Sequence, residues 1–209
     1  MKITVIGATR GVGLALVKMA LERGHEVTAL LRDPKKMPLA HPKLKICVGD
    51  ILSASSIEKA LAGQDAVCTT IGAPPSRKPM NIFSEGAKNV LAAMKAVPDI
   101  KLIAVTGIGA GDSRGHGGFL YDKIIQPLLL KTMYEDKDRE EAVLKASSAN
   151  WMILRPGMLT NGKFTGKYRV LTDMTGVTAG KISREDVADF ILRQFEQPKY
   201  FKQTPLLTY

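Results

Sequence analysis

Two cysteines in 209 residues, Cys47 and Cys68, are too few for a disulfide framework. Both fall in predicted core strands, where cysteine acts as a small hydrophobe, and no metal site is expected around them. No apolar run approaches the ~20 residues that span a bilayer. No leader is expected ahead of the first strand, and internal repeats and low-complexity segments are absent. These absences point to a reducing, cytoplasmic setting without a membrane partner. The length leaves no room for a large second domain, so one domain over 1–209 is expected. Residues from about 159 to 209 would then form a small C-terminal extension of substrate-side loops and a helix. The 30 lysines and arginines are spread along the chain without aromatic interleaving. The net charge of +10 is therefore read as a field that attracts anions, a phosphorylated cofactor among them. A nucleic-acid role is the lesser reading. With 45% apolar and 24% charged residues, the composition is that of a globular protein.

What the chain does have is concentrated at its start. Residues 2–7, Lys-Ile-Thr-Val-Ile-Gly, form a short β-branched run of the kind buried in parallel sheets. Gly7-Ala8-Thr9-Arg10-Gly11-Val12-Gly13 follows, then apolar helical spacing from Leu14 to Glu22, Gly24 as a stop, and a second strand from His25 to Leu31. This is a βαβ unit. Its glycines can take positive φ and leave no side chain in the way of a phosphate, and the following helix offers N–H groups backed by its dipole. The motif stands in the context that makes pyrophosphate binding, rather than a tight turn alone, the preferred reading. At the end of the second strand, Arg32 has the charge and donor fork for a 2′-phosphate, whereas an acid there would favour a free ribose. Arg32 thus points to NADP (NADPH), with Arg10 in reach of the same phosphate. Asp33 is a candidate ribose contact, and Lys35 and Lys36 are read as a solvated turn.

Further strands are expected at Leu44–Val48, Ala66–Ile71, Lys101–Thr106 and Asn150–Leu154, the last holding the only tryptophan, Trp151. Short stretches read as strands at Lys167–Leu171 and, as a last edge strand, Thr204–Thr208. Helices are expected at about 54–61, 80–96, 119–146 with a break near Pro127, and from Ser183, as N-cap, to about Phe195. Asp50 has two readings, an adenine contact or a turn aspartate. The glycine-rich loop 107–118 also has two, a flexible substrate lid or a mobile surface loop. The whole is α/β: a Rossmann-type, doubly wound parallel sheet with helices on both faces.

These stretches resemble the atypical short-chain dehydrogenase/reductase superfamily, in the branch of flavin and biliverdin B reductases. The likeness rests on the Gly7-Ala8-Thr9 loop, Leu31-Arg32-Asp33, Val48-Gly49-Asp50, Gly63-Gln64-Asp65-Ala66-Val67, Ser84 to Val90, Ala92 to Ala96 and Ile182 to Asp186. It covers nearly the full chain. It implies NADP bound across the carboxyl edge of the sheet and hydride transfer to a small-molecule acceptor that is flat and conjugated: a flavin, a linear tetrapyrrole or a quinone. It assigns the phosphates to Gly7, Thr9, Arg10, Gly11, Val12 and Gly13, the 2′-phosphate to Arg32, and adenine to Asp50 and Ile51. Ile71 and Gly72 would lie beside the ribose, and the backbone of Pro156, Gly157 and Met158 would hold the nicotinamide amide.

The chain departs from the superfamily at its acid. The usual serine slot at the end of the fifth strand is occupied by Gly107, next to Thr106. The usual Y-x-x-x-K is Tyr134-Glu135-Asp136-Lys137, Y-x-x-K, and three residues of helix turn about 300° where four turn about 400°. Lys137 matches the family lysine, and Tyr134 is one place out of register. Tyr121-x-Lys123 is no substitute. Thr106, Lys137 and Tyr134 are the candidate catalytic residues. An electron-poor acceptor needs no enzymic acid, since solvent can supply the proton, and proximity and orientation then carry the catalysis. The competing class is a non-catalytic NADP-binding redox sensor that acts through protein partners. A monomer or weak homodimer is expected.

Overall fold

A computed structural model describes all 209 residues. In chain order the strands are β1 Lys2–Ile6, β2 Glu26–Leu31, β3 Leu44–Val48, β4 Ala66–Thr69, β5 Lys101–Val105, β6 Asn150–Pro156, β7 Met158–Thr160, β8 Arg169–Leu171, β9 Lys181–Ser183 and β10 Leu206–Thr208. The helices are α1 Gly11–Glu22, α2 Ala54–Leu61, α3 Ile82–Met94, the single turn α4 Gln126–Leu129, α5 Lys131–Lys145 and α6 Arg184–Glu196. The main sheet runs β3-β2-β1-β4-β5-β6-β10-β8, parallel throughout except for β8, which pairs antiparallel with β10. The strand order reverses between β1 and β4, which opens a crevice beyond their carboxyl ends.

Alternation along the strands builds a core on each face. Ile3 and Val5 of β1 point to the side where Leu16, Val17 and Ala20 of α1 meet Val187, Ile191 and Phe195 of α6. Ile6 points to the other, against Ile57 and Leu61 of α2 and Val90 of α3. Thr4, on that second face, satisfies its hydroxyl on the Ala60 carbonyl at 2.7 Å. Ser183 caps α6 by accepting from the Asp186 N–H at 3.0 Å, as its spacing predicts.

Two expectations need correction, and one short ribbon was not foreseen. The first helix begins at Gly11, not Leu14, because the glycines of its first turn hide the apolar period. The helix from 119 is broken near Pro127 as expected: a π-helical turn precedes it, Pro127 stands in the first turn of α4 where its missing N–H costs nothing, and the chain leaves helical geometry at Leu130 (φ −117°, ψ 5°). The 204–208 strand is no edge: β8 covers it, and Leu206 and Leu207 are fully buried. The ribbon of β7 and β9, three residues each, carries no period a sequence could reveal.

Candidate functional site

A cleft of about 1460 Å³ runs along the carboxyl edge of the sheet. Every candidate site residue lines it except Gly13. Gly13 lies beneath: a Cβ there would fall 2.2 Å from the Gly7 carbonyl oxygen and 2.4 Å from Thr70 Oγ1. It sets how closely α1 crosses β1 and touches no ligand. Gly7 has φ +93°, and Thr70 Oγ1 donates to the Ile6 carbonyl at 3.0 Å, fixing the turn. Arg10 precedes α1 with extended backbone, no side chain caps the helix, and no acid sits in its first turn. Its first N–H groups are therefore free for an anion.

Seven lysines and arginines line the cleft against three carboxylates. Arg32 is 79% exposed at its side chain, with Nε 3.9 Å from Asp50 Oδ2. Asp50 Oδ1 accepts from the Leu52 N–H at 2.9 Å, so its turn role is realised while it faces the cleft. Asp33 likewise accepts from the Lys35 N–H, capping a short turn over Pro34–Lys36. Lys36 is not merely part of a solvated turn, since it lines the cleft; Lys35 does not. Ile51 packs into the space left by Gly86 of α3, where a Cβ would come within 2.6 Å of its Cδ1. Arg184 was not foreseen. It opens α6, donates to Asn161 Oδ1 at 2.7 Å, and holds Nε 3.8 Å from where a Gly11 Cβ would stand. No local signal pairs positions 11 and 184.

At the β5 end, the candidate catalytic groups turn inward to the protein. Thr106 Oγ1 donates to Glu141 Oε1 at 3.0 Å, so the threonine hydroxyl is committed away from the cleft. Lys137 Nζ makes its one hydrogen bond to the Thr106 carbonyl and lies 4.8 Å from the centre of the Phe83 ring. Burial holds the Lys137 ammonium below its usual range, against the pull of Glu140, Glu141 and Asp136. Tyr134 is buried, and its hydroxyl accepts from Tyr121 at 2.6 Å rather than from Lys137. Burial first, then Tyr121, pushes Tyr134 far up. Gly107 has φ +129°, and a Cβ there would stand 3.1 Å from Tyr134 Oη. The backbone conformation strains any serine in the superfamily's slot, and its Cβ would press on the Tyr134 hydroxyl.

The first half of the 107–118 loop is tied to the body of the protein by hydrogen bonds. Ser113 Oγ donates to the Ala110 carbonyl and accepts from the Gly109 N–H, Gln126 Nε2 donates to the Gly109 carbonyl at 2.7 Å, and Asp138 takes the Gly111 N–H at 2.7 Å. Arg155, wholly buried, binds Glu141 through Nε and Nη2 and reaches Asp112 of the loop.

Glu140 stands next to this network, buried and with Oε2 unpartnered. Burial pushes its carboxyl up to about 8, opposed by Lys137 and reinforced by Glu141 and Asp136. A folded-state pKa above the ordinary ~4.3 means the folded chain holds a proton that the unfolded chain loses. Its contribution is complete below about pH 4.3 and is lost as the pH rises towards the folded value. Glu140→Gln should therefore match the wild type in thermal unfolding at about pH 4 and gain on it steadily up to pH 8. Parallel curves would show that Glu140 does not titrate in this way.

A profile of the family described as NAD(P)H-binding matches residues 7–198. An uncharacterized Bacillus subtilis (strain 168) protein, YwnB, is 27% identical over 209 residues, covering 96% of this chain and 94% of its own. Among solved structures, the anaerobillin reductase ChuY of Escherichia coli O157:H7 superposes with a TM-score of 0.82 at 24% identity, covering 100% of this chain and 97% of ChuY. A short-chain dehydrogenase/reductase of Veillonella parvula DSM 2008, solved in complex with NADP, gives a TM-score of 0.82 at 19% identity over 100% and 94% of the two chains. No helix here is long and apolar enough to cross a membrane.

Proposed function

The chain belongs to the NAD(P)H-binding family, and from that premise we propose that it is an NADPH-dependent reductase of a flat, conjugated small molecule: a flavin, a linear tetrapyrrole or a quinone. The observation that carries this reading is the continuity of the cleft. It runs from the glycine loop, past Thr106 and Pro156–Met158, to walls supplied by Ile108 and Gly117 on one side and Leu159, Ala179 and Gly180 on the other. A sensor of the dinucleotide alone has no use for the second half. The residues fit a dinucleotide: a glycine turn held close to β1 and Thr70, an uncapped helix start, and a cationic lining. The Veillonella structure was solved with NADP, which supports a nicotinamide cofactor for this fold. When bound, the reduced nicotinamide supplies hydride. The N–H groups of Gly157 and Met158 are spent on the Leu207 and Gly180 carbonyls, so only carbonyls of the Pro156–Met158 stretch are left to meet the amide. The chain's own part is to place the ring against that stretch, to fix the Thr106 carbonyl through Lys137, and to keep water from the acceptor with apolar walls.

Arg32, with Arg10 and Lys36 beside it in the cleft, reads the 2′-phosphate in this proposal. Losing a charge-assisted contact costs about 1.5–3 kcal/mol, so Arg32→Asp should weaken NADPH binding about 10- to 100-fold and leave NADH nearly unchanged. Fluorescence titration with each cofactor measures this, and equal losses for both would contradict it. Steady-state oxidation with FMN and a quinone tests the reaction itself. Tight binding without turnover of any flat acceptor would favour the redox-sensor reading, for which the inward commitment of Thr106 and Lys137 speaks.

A further inference from the structure

We propose that Tyr121 is the proton donor to the reduced acceptor, with Tyr134 behind it as the hydrogen-bond donor that holds the resulting tyrosinate. The inference rests on the reductase reading. At the β5 end, four cleft-lining side chains carry a transferable proton: Thr106, Tyr121, Tyr134 and Lys137. Thr106 is buried with its hydroxyl turned to Glu141, and Lys137 is buried against the Thr106 carbonyl and the Phe83 ring. Tyr134 accepts from Tyr121 and keeps its own proton, but it is buried behind Tyr121. Tyr121 alone is half-buried; its proton rests on Tyr134 Oη, with the Ile108 carbonyl as a second acceptor, and reaches the acceptor by rotation about the C–O bond.

Its position is built. Tyr121 opens a π-helical turn, Tyr121–Ile125, a distortion often found at functional sites. The ring lies on Gly117, where a Cβ would fall 2.4 Å from Tyr121 Cδ1, so only glycine lets it in. The two tyrosine rings meet edge to face with centroids 6.3 Å apart. Tyr121 Oη is 2.6 Å from Tyr134 Oη and 3.3 Å from the Ile108 carbonyl. The Gly107 α-carbon, free of side chain, leaves this hydroxyl pair open to whatever lies at the end of β5.

The step balances as follows. Hydride adds to the acceptor, oxidising the dihydronicotinamide and leaving a negative charge on an acceptor oxygen or nitrogen. The Tyr121 O–H bond breaks, the proton bonds to that atom, and a tyrosinate remains. Tyr134 then turns its own hydroxyl proton toward it, making an O–H···O⁻ bond at the length such charge-assisted bonds prefer. Water at the cleft mouth returns the proton to Tyr121. The electrostatics agree in direction. Burial raises Tyr121, and Asp122 adds to it, while the hydrogen bond from Tyr134 lowers it. Tyr134 is driven the other way by burial, by Tyr121 and by Asp138, so it stays the protonated partner.

The test uses full-length protein, NADPH, and phenanthrenequinone and FMN as acceptors. Tyr121→Phe should lower kcat about 100-fold, within the range of a lost general acid, leave the NADPH dissociation constant unchanged, and abolish the alkaline fall of kcat. Tyr134→Phe should lower kcat by less than Tyr121→Phe does and move that fall to higher pH, because the tyrosinate loses its donor. A readout independent of activity is the ultraviolet titration of tyrosine ionisation: the Tyr121→Phe difference spectrum isolates one group, and Tyr134→Phe shifts it upward. Wild-type kcat and pH profile in Tyr121→Phe would overturn the proposal and leave the reductase reading standing. A wild type that binds NADPH and reduces neither acceptor would overturn that reading and the proposal with it.

Discussion

Gly13→Ala is expected to abolish measurable dinucleotide binding and to lower the unfolding temperature by roughly 5–10 °C. The new methyl group would lie 2.2 Å from the Gly7 carbonyl oxygen, 2.9 Å from the Gly7 carbonyl carbon and 2.4 Å from Thr70 Oγ1. None of these can yield cheaply. Gly7 is held at φ +93° by the turn, and Thr70 is tied to the end of β1 by its backbone N–H as well as its hydroxyl. To relieve the contact, α1 must move off β1, and its apolar face is packed on both β1 and α6. Overpacking of this kind costs about 1–3 kcal/mol, and each kcal/mol is worth about 2–4 °C in a chain of this size. The displaced helix start also misaims the N–H groups that a phosphate needs, which is why binding should fail beyond what the stability loss alone explains. Gly72→Ala is the control. Its Cβ meets nothing within 4 Å and its backbone needs no positive φ, so its thermal unfolding should match the wild type. Scanning calorimetry and NADPH titration of both variants decide the matter. A Gly13→Ala chain that melts and binds as the wild type does would refute the close-crossing argument.

The cofactor half of the cleft was legible because it is local. Strand, glycine loop, helix and strand follow one another within about thirty residues, and Arg32 falls at the next strand end, so periodicity and glycine placement suffice. The acceptor half was not, because it depends on contacts between distant positions. Tyr121 and Tyr134 are 13 residues apart, about 20 Å on one continuous helix at 1.5 Å per residue. The sequence places a break near Pro127 between them, but the angle of a break is not written in periodicity. The π-helical turn and the break at Leu130 fold the segment back and bring the hydroxyls to 2.6 Å. Similarly, Arg184 reaches the glycine loop only through the packing of α6 on α1, and the β7–β9 ribbon is too short to announce itself. The missing serine at Gly107 looked like a lost function in the sequence. In the structure it is a requirement of φ +129° and of the Tyr134 hydroxyl.

Arg155→Met is expected to destabilise the fold by about 3–5 kcal/mol, the cost of stranding a buried charge. In the sequence Arg155 opens the Arg-Pro-Gly-Met stretch assigned to the nicotinamide, but its side chain points into the core and is 0% exposed. Glu141 collects both of its donors together with the Thr106 hydroxyl and, at 3.3 Å, Lys145. Removing the guanidinium leaves a carboxylate behind α5 with only a threonine and a half-exposed lysine to balance it. It also releases Asp112, and with it one tie on the 107–118 loop. The companion variant separates these effects. Arg155→Met combined with Glu141→Leu removes both charges, and replacing a buried pair by apolar groups is often neutral or stabilising, so the double variant should recover most of the lost stability. It will not recover the loop tie or the anchor on Thr106. Thermal unfolding should thus return towards wild type while KM for a quinone acceptor stays raised. If the double variant unfolds as early as the single one, the stranded charge is not the cause. If its acceptor KM is normal, Arg155 has no part in holding the acceptor wall.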